Sequence, residues 1–112
     1  MKMIEAIIQP YKLEDVKQAL TLIDVRGVTV TEVRGFGRQK GQRLQYRGNV
    51  STADLIPKLK LQLVVSDDRS DQAQEAIARA ARTGKVGDGK IFVYPLDCVV
   101  RIRTGERNDS AI

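Results

Sequence analysis

The feature that most constrains the fold is a strand, helix, strand pattern that the chain repeats. In the first half, the apolar run IEAII (4–8) indicates a strand. Apolar residues then recur at helical spacing between Leu13 and Ile23, and VTVTEVR (28–34) alternates with the period of two that is typical of a strand. The first half of the chain is therefore predicted to be a βαβ unit.

The second half of the chain follows the same order. LKLQLVV (59–65) alternates, and DQAQEAIARAAR (71–82) places apolar residues on one face of a helix that Gly84 ends. IFV (91–93) and CVVRIR (98–103) supply further strand material. Two consecutive βαβ units predict an α+β fold, the ferredoxin-like split βαβ (βαββαβ) sandwich with an antiparallel sheet and both helices on one face.

Several of these strands carry apolar residues on both of their faces, as Ile7 and Ile8 do in the first strand. Because the two helices cover one face of the sheet only, the other face needs a cover, and other copies of the chain are the simplest one. The pattern therefore predicts a homo-oligomer.

Composition limits the class of protein further. The 112 residues fit one domain, 1–112, and no apolar run approaches the ~20 residues of a membrane span, so we expect a cytoplasmic protein without direct membrane insertion. The chain has no histidine and one cysteine, which excludes a soft-metal site but leaves open an Mg²⁺ ion carried by a nucleotide. Cys98 is expected to be a small apolar residue of a buried strand.

A long connection, residues 35–57, separates the second and third strands, where a compact domain normally uses about 4–6 residues. We expect its central part, 37–55, to be a flexible effector loop. Five basic residues fall in the stretch 34–47, which overlaps this connection and contains no acid, and they are enough to account for the net charge of +5: Arg34, Arg38, Lys40, Arg43 and Arg47. Such a cluster favours anionic ligands, but nucleic acid is not expected, because no recognised nucleic-acid-binding motif is present.

The stretch RTGKVGDGKIFVYP (82–95) combines three glycines with two lysines and one aspartate ahead of an apolar run. It fits an ordinary turn, since Gly84 follows a helix and Asp88-Gly89 is a strong turn pair. It also fits an anion cradle, in which backbone amides approach a phosphate while Lys85 and Lys90 supply charge. The stretch alone leaves both readings open.

Five blocks of sequence, spread over the whole chain, carry a resemblance to a known family: MKMIEAIIQPYKLEDVKQAL (1–20), VTVTEVRGFGRQKGQ (28–42), YRG (46–48), ARTGKVGDGKIFV (81–93) and VVRIRTGERNDSAI (99–112). Together they resemble the PII signal-transduction proteins, trimeric regulators of nitrogen metabolism. The run from Thr83 through Gly87-Asp88-Gly89-Lys90 to Phe92 matches the family's C-terminal signature. The resemblance implies a homotrimer whose clefts between subunits bind ATP or ADP.

What the resemblance implies for the nucleotide site can be stated residue by residue. The phosphates would be held by the glycine-rich stretch of one subunit and by two arginines from the last strand of its neighbour, and further segments would wrap the nucleotide. The nucleotide-binding residues are Gly27, Thr29, Gly35, Phe36, Gly37, Arg38, Gly87, Asp88, Gly89, Lys90, Arg101 and Arg103. Arg101 and Arg103 would share one strand face at a spacing of two, so both could reach one polyanion.

The resemblance also implies a second ligand, 2-oxoglutarate, which would chelate an Mg²⁺ ion that ATP also holds. Its binding residues would be Gln39, Lys40, Gly41 and Lys58. Gln39 would ligate the metal and Lys58 would pair with the distal carboxylate. Without the family match, the favoured readings are an exposed loop residue for Gln39 and a solvated residue at the start of a strand for Lys58.

The sequence departs from the family pattern at several positions. Ser51 stands where many bacterial relatives have the tyrosine that is uridylylated, so we expect no uridylylation there, and Asn49 replaces the serine that cyanobacterial relatives phosphorylate. Ser51 and Thr52 are the remaining candidate hydroxyl groups. Gln9 replaces a basic residue near the oxoacid site, and Gln62 replaces a glutamate beside the cleft.

We therefore expect a regulator of nitrogen metabolism, not an enzyme, that senses ATP or ADP and 2-oxoglutarate. It would act through its effector loop on an ammonium channel or a nitrogen-metabolism enzyme, with Tyr46 and Arg47 as the partner contacts. One alternative is a variant with a nucleotide response but weak or absent 2-oxoglutarate sensing, acting on a different partner. An ATP-hydrolysing enzyme is disfavoured because no GK[ST] motif occurs and no carboxylate is evidently placed to orient water.

Overall fold

The computed structural model describes residues 1–37 and 55–112. Within these residues, four strands and two helices follow in the order β1 (Lys2–Ile8), α1 (Leu13–Leu22), β2 (Thr29–Gly35), β3 (Ile56–Val65), α2 (Ser70–Ala81) and β4 (Lys90–Pro95). The strands form one sheet in the order β2-β3-β1-β4, and every neighbouring pair is antiparallel. This is the predicted ferredoxin-like α+β arrangement.

The core lies between one face of the sheet and the two helices. Alternate residues of β1 point into it, so that Ile4, Ala6 and Ile8 are at most 1% exposed. The helices close it with side chains at helical spacing, among them Leu20 of α1 and Ile77 of α2. Each such buried aliphatic side chain contributes about 1.5–3 kcal/mol to folding, which explains why the periodicity of the sequence located these elements.

The helices begin and end at residues whose chemistry suits those positions. Glu14 and Asp15 lie in the first turn of α1, where carboxylates interact favourably with the helix dipole. α2 ends at Ala81, and the backbone becomes extended at Arg82 before Gly84 adopts a positive φ of 89°. The predicted end of this helix at Gly84 therefore lies only a few residues beyond its observed end at Ala81.

The opposite face of the sheet bears no helix in the described residues and is mixed in character. Glu5 on β1 accepts hydrogen bonds from Gln62 on β3, at 3.2 Å, and from the hydroxyl of Tyr94 on β4. The bond from Tyr94 lowers the pKa of Glu5, and the same bond raises the pKa of Tyr94. Phe92 on this face is 49% exposed. The predicted cover by other copies remains a prediction.

The predictions for the C-terminal segment (96–112) were wrong in two respects. CVVRIR does not form a strand, because its only sheet-like contact in the described chain is an isolated antiparallel bridge between Val100 and Arg107. Cys98 is exposed, not buried, and its sulfur accepts a hydrogen bond from Arg107 at 3.4 Å. The segment alternates in sequence like a strand, but among the described residues it pairs with neither edge strand of the sheet, β2 or β4.

Candidate functional site

A cavity of about 710 Å³ opens where the C-terminal end of β2 meets the start of β3 and the loop before β4. Its walls come from four parts of the chain that are distant in sequence. They are Ile7 of β1, Gly35, Phe36 and Gly37 at the end of β2, Ile56 and Lys58 of β3, and Lys85, Val86, Gly87, Asp88, Gly89, Lys90 and Phe92. The volume falls in the range of small-molecule sites in proteins.

Residues 83–90, which we call the glycine loop, form one wall of this cavity. Gly87 and Gly89 have φ angles of 106° and 94°, in the region that side chains rarely adopt. Gly89 also lies directly against β1, since a Cβ atom built on it would be 1.7 Å from the carbonyl oxygen of Ile7. Both observations require glycine, and together they bring the backbone of the loop against the end of the sheet.

The loop is closed by the carboxylate of Asp88. This group accepts hydrogen bonds from the backbone amides of Thr83 and Gly84, each at 2.8 Å, and from the hydroxyl of Thr83. The hydroxyl and amide of Thr83, with the amide of Gly84, lower the pKa of Asp88, so the carboxylate is ionised near neutral pH. The hydroxyl of Thr83 in turn accepts a hydrogen bond from the amide of Lys85 at 3.1 Å.

Lys58 joins β3 to the glycine loop. Its ammonium group donates a hydrogen bond to the carbonyl oxygen of Gly87 at 2.5 Å, and the residue is only 9% exposed. Burial lowers the pKa of Lys58, and the nearby charge of Asp88 partly opposes that effect. The reading of Lys58 as a solvated residue is therefore wrong.

The charge of the cavity wall is positive. Among its described residues are three lysines, Lys58, Lys85 and Lys90, and one aspartate, Asp88, a balance of three positive charges against one negative charge. Lys85 and Lys90 are exposed, whereas Asp88 is turned into the loop by its hydrogen bonds. A concave wall of glycine backbone with excess positive charge can receive a polyanion such as a phosphate chain.

The structure brings together many of the residues that the sequence singled out. Those in the cavity wall are Gly35, Phe36, Gly37, Lys58, Gly87, Asp88, Gly89 and Lys90. Gly27 and Thr29 are not in the wall: Thr29 pairs with Gln62 and Gly35 with Ile56, at opposite ends of β2 about 20 Å apart. Several other predicted residues lie outside the described ones: Arg38, Gln39, Lys40, Gly41, Tyr46, Arg47 and Ser51.

The two C-terminal arginines are also absent from the described wall of this cavity. Arg101 lies 3.7 Å from the carboxylate of Glu106 and donates a hydrogen bond to the carbonyl of Ile112. Residues 102–104 form a turn, so the expectation that Arg101 and Arg103 share one face of a strand was wrong for the isolated chain.

Sequence reasoning assigned no role to Thr83, Ile7 or the contact between Lys58 and Gly87. A threonine five residues before an aspartate in a glycine-rich stretch is a recognisable signal for side chains that bond backbone amides in a turn. The approach of Gly89 to Ile7 and the contact of Lys58 join residues far apart in sequence, and no local pattern could have identified them.

Two further observations concern metals and membranes. The described residues contain no group of three histidine, cysteine, aspartate or glutamate side chains that could hold a metal ion. Across residues 1–37 and 55–112, neither helix is long and apolar enough to cross a membrane.

By fold and site, the chain is a ferredoxin-like α+β protein with a cationic, glycine-walled cavity at the end of its sheet. A sequence profile described as "Nitrogen regulatory protein P-II" matches residues 1–106. The chain belongs to this family. Its members are signalling regulators rather than enzymes, and they interact with partner proteins of nitrogen metabolism.

Individual relatives agree with this assignment. Nitrogen regulatory protein P-II of Pasteurella multocida is 57% identical over all 112 residues of both chains, and nitrogen regulatory protein P-II 1 of Escherichia coli K12 is 54% identical over the same length. The crystal structure of Arabidopsis thaliana PII bound to citrate superposes with a TM-score of 0.82 at 39% identity. The match covers 99% of this chain and 91% of that one.

Proposed function

We propose that this PII-family protein senses ATP and ADP in the cavity beside the glycine loop and passes the bound state to target proteins through its effector loop. The observation that carries the proposal is the wall itself, where glycine backbone, Lys58 and Lys90 surround a cavity of about 710 Å³. The nucleotide phosphates are the groups that would meet the glycine loop and its lysines. When bound, Mg²⁺ would neutralise phosphate charge, and Gln39 would be its ligand from this chain.

The proposal includes a homotrimer in which Arg101 and Arg103 complete the cavity of the neighbouring subunit. Its support is that neither arginine is in the described wall of the cavity of its own chain, while the sheet face bearing Phe92 and Tyr94 carries no helix among the described residues. Light scattering at micromolar concentration should report a mass of three chains. A stable monomer at that concentration would contradict this part of the proposal.

A carboxylate effector, 2-oxoglutarate, forms the second part of the proposal. The described group suited to it is the ammonium of Lys58, with Gln39, Lys40 and Gly41 as further ligands. The citrate bound to the Arabidopsis protein is a carboxylate ligand of a relative, which supports a carboxylate-binding site. Gln9 lies just before the 3-10 turn Pro10–Lys12 and brings no charge there, so a variant with weak or absent 2-oxoglutarate sensing is the second candidate function.

Isothermal titration calorimetry with ATP and Mg²⁺, with and without 2-oxoglutarate, tests both parts together. We expect ATP to bind at one site per chain, ADP to compete with it, and 2-oxoglutarate to bind only when Mg²⁺ and ATP are present. Lys17→Ala, which removes an exposed lysine of α1 paired with Glu14, is the matched control for Lys90→Ala. Equal ATP affinity in these two variants would mean that the glycine loop is only a turn.

The effector loop should report the bound state without creating the site. A deletion of residues 43–52 should still form trimers and bind ATP within a factor of a few, because long surface loops can be shortened at little thermodynamic cost. Capture of an ammonium channel or a nitrogen-metabolism enzyme, which we assign to Tyr46 and Arg47, should disappear. If the deleted protein captures the same partner with the same dependence on ATP and ADP, the effector loop is not the reader.

Catalytic turnover of ATP is not part of the proposal. The carboxylate in the described cavity wall, that of Asp88, accepts hydrogen bonds from Thr83 and Gly84 within the loop, which disfavours a role in orienting an attacking water. Incubation with a uridylyltransferase and UTP should likewise leave the mass of the protein unchanged, since Ser51 offers no phenol.

A further inference from the structure

The carboxylate of Asp88 is the centre of a hydrogen-bonded ring inside the glycine loop. One oxygen, Oδ2, accepts from the amides of Thr83 and Gly84, and the other, Oδ1, accepts from the hydroxyl of Thr83. The same hydroxyl accepts from the amide of Lys85 at 3.1 Å. Three backbone amides and one hydroxyl are thus organised by two side chains five residues apart.

This ring compensates for a weakness in the composition of the loop. Gly84, Gly87 and Gly89 all adopt positive φ angles, and a chain with three such glycines has many other conformations to choose from when nothing restrains it. A binding loop that is ordered only when the ligand arrives loses affinity to that ordering. Two other restraints, the contact of Lys58 with Gly87 and that of Gly89 with Ile7, act on the far end of the loop.

The same hydrogen bonds argue against Asp88 as a direct ligand of a phosphate. Both of its oxygens are directed at groups within residues 83–84, and a negative charge beside a phosphate would otherwise oppose binding. The three lysines of the wall outweigh that charge. The charge of Asp88 is unfavourable for an anionic ligand, yet the residue holds the loop together. Asp88 therefore affects binding through the conformation of the loop.

We propose that Asp88 and Thr83 are positioning residues, which fix the glycine loop in its anion-binding shape and do not themselves contact the ligand or its metal. The inference rests on the proposed function of the cavity as a nucleotide site. It differs from the assignment of Asp88 as a nucleotide ligand, and it adds Thr83, which had no assigned role. The hydroxyl of Thr83 is the essential group, because it both donates to Asp88 and accepts from Lys85.

The test uses the full chain and ATP as the probe, titrated calorimetrically at constant ionic strength, once with Mg²⁺ and once with EDTA. Asp88→Ala should weaken binding by about tenfold or more, which is the size expected when a charge-assisted network is lost. The loss should be equal with Mg²⁺ and with EDTA. Thr83→Val should weaken binding several-fold, whereas Thr83→Ser, which keeps the hydroxyl, should restore it to within about twofold.

Two controls keep the test independent of overall stability and charge. Asp97→Ala removes an exposed carboxylate after β4 and should leave ATP affinity unchanged. Hydrogen exchange measured without nucleotide should show faster exchange of the amides of Thr83 and Gly84 in Asp88→Ala, with the core of β1 still protected. That exchange readout does not depend on whether ATP is the ligand.

Each of the other outcomes contradicts either the positioning role of Asp88 or the proposed nucleotide site. Binding as tight as that of the unsubstituted protein, or tighter, in Asp88→Ala would show that the carboxylate only repels the ligand, and a loss confined to the Mg²⁺ titration would make Asp88 a metal ligand. If the unsubstituted protein fails to bind ATP, the proposed function is wrong, and the exchange experiment alone decides the inference. Unchanged exchange at Thr83 and Gly84 would overturn it.

Discussion

The glycine loop and the C-terminal segment carry the two halves of the proposed nucleotide site, and they are built in different ways. The loop is held by contacts within its own chain, from Asp88 to Thr83, from Lys58 to Gly87, and from Gly89 to the backbone of β1. The C-terminal segment is bonded mainly to itself, by the isolated bridge between Val100 and Arg107 and by hydrogen bonds such as that from the amide of Arg101 to the carbonyl of Glu106 at 2.9 Å, and Ile102 within it is 99% exposed. The loop is thus fixed against the sheet, whereas the C-terminal segment is not paired with it.

This difference indicates which contacts determine the conformation of each segment. A loop that is held by its own side chains can form within one subunit before the ligand binds. A segment with strand-like alternation and exposed apolar residues that pairs with no strand of the described chain would, in the proposed trimer, meet a neighbouring copy. Changes in the loop should therefore act within a chain, whereas changes in the C-terminal segment should act between chains.

The largest effect is expected at Gly89. Gly89→Ala would place a Cβ against the carbonyl of Ile7 in addition to the strain of a positive φ, and should lower the free energy of unfolding by about 3 kcal/mol or more. Gly105→Ala is the matched control in the C-terminal segment: its φ is 74° and nothing lies within 4 Å of the added Cβ. It should cost about 1–2 kcal/mol. Equal losses in urea unfolding would contradict the close approach of the loop to β1.

The next effect concerns the charged groups of the two halves. Lys90→Ala and Arg103→Ala should each weaken ATP binding by about 1.5–3 kcal/mol, because each removes a charge-assisted phosphate contact. Neither change should alter the thermal midpoint by much, since both side chains are exposed. If Arg103→Ala binds ATP with full affinity while Lys90→Ala does not, the C-terminal segment has no part in the site.

These two halves also mark how far the sequence could predict the structure. Periodicity located β1, β3 and α2, because each has one face buried in the core, as at Ile4, Leu61 and Ile77. Periodicity failed for CVVRIR, since an alternating pattern indicates that a segment can form a strand but not that it pairs with another strand. The glycine loop was recognised as an anion cradle or a turn, and the contacts of Lys58 and Ile7 that fix it are too distant in sequence to be foreseen.

A third effect, on pH dependence, belongs to the loop alone. Hydrogen bonds from Thr83 lower the pKa of Asp88 below its ordinary value of 3.8, so its contribution to loop order is present above that value and is lost as the pH falls through the lower, folded-state pKa. In NMR spectra the amide signals of Thr83 and Gly84 should therefore shift with a midpoint below pH 3.8. The transition should be missing in Asp88→Asn. A midpoint at or above the ordinary value would mean that the ring is not formed in solution.

The smallest effect is expected near the proposed oxoacid site. Gln9→Lys adds a positive charge at the start of the 3-10 turn Pro10–Lys12, and should strengthen 2-oxoglutarate binding a few-fold in the presence of ATP and Mg²⁺. Calorimetry at low and at high salt checks this, because an electrostatic gain shrinks when charges are screened. A gain that is independent of salt, or no gain at all, would contradict the role assigned to this position.

Co-assembly of two defective variants tests most directly whether one chain supplies the glycine loop and another supplies the arginines. Lys90→Ala and Arg103→Ala chains are co-expressed under different tags, purified through both tags as mixed trimers, and titrated with ATP. A cyclic trimer that contains both variants should place an intact loop beside an intact arginine at about one site in three, so a fraction of full-affinity sites near that value is predicted. If the mixed trimers show no full-affinity sites although each variant is folded and trimeric, both halves come from the same chain and the proposed division of the site between subunits is wrong.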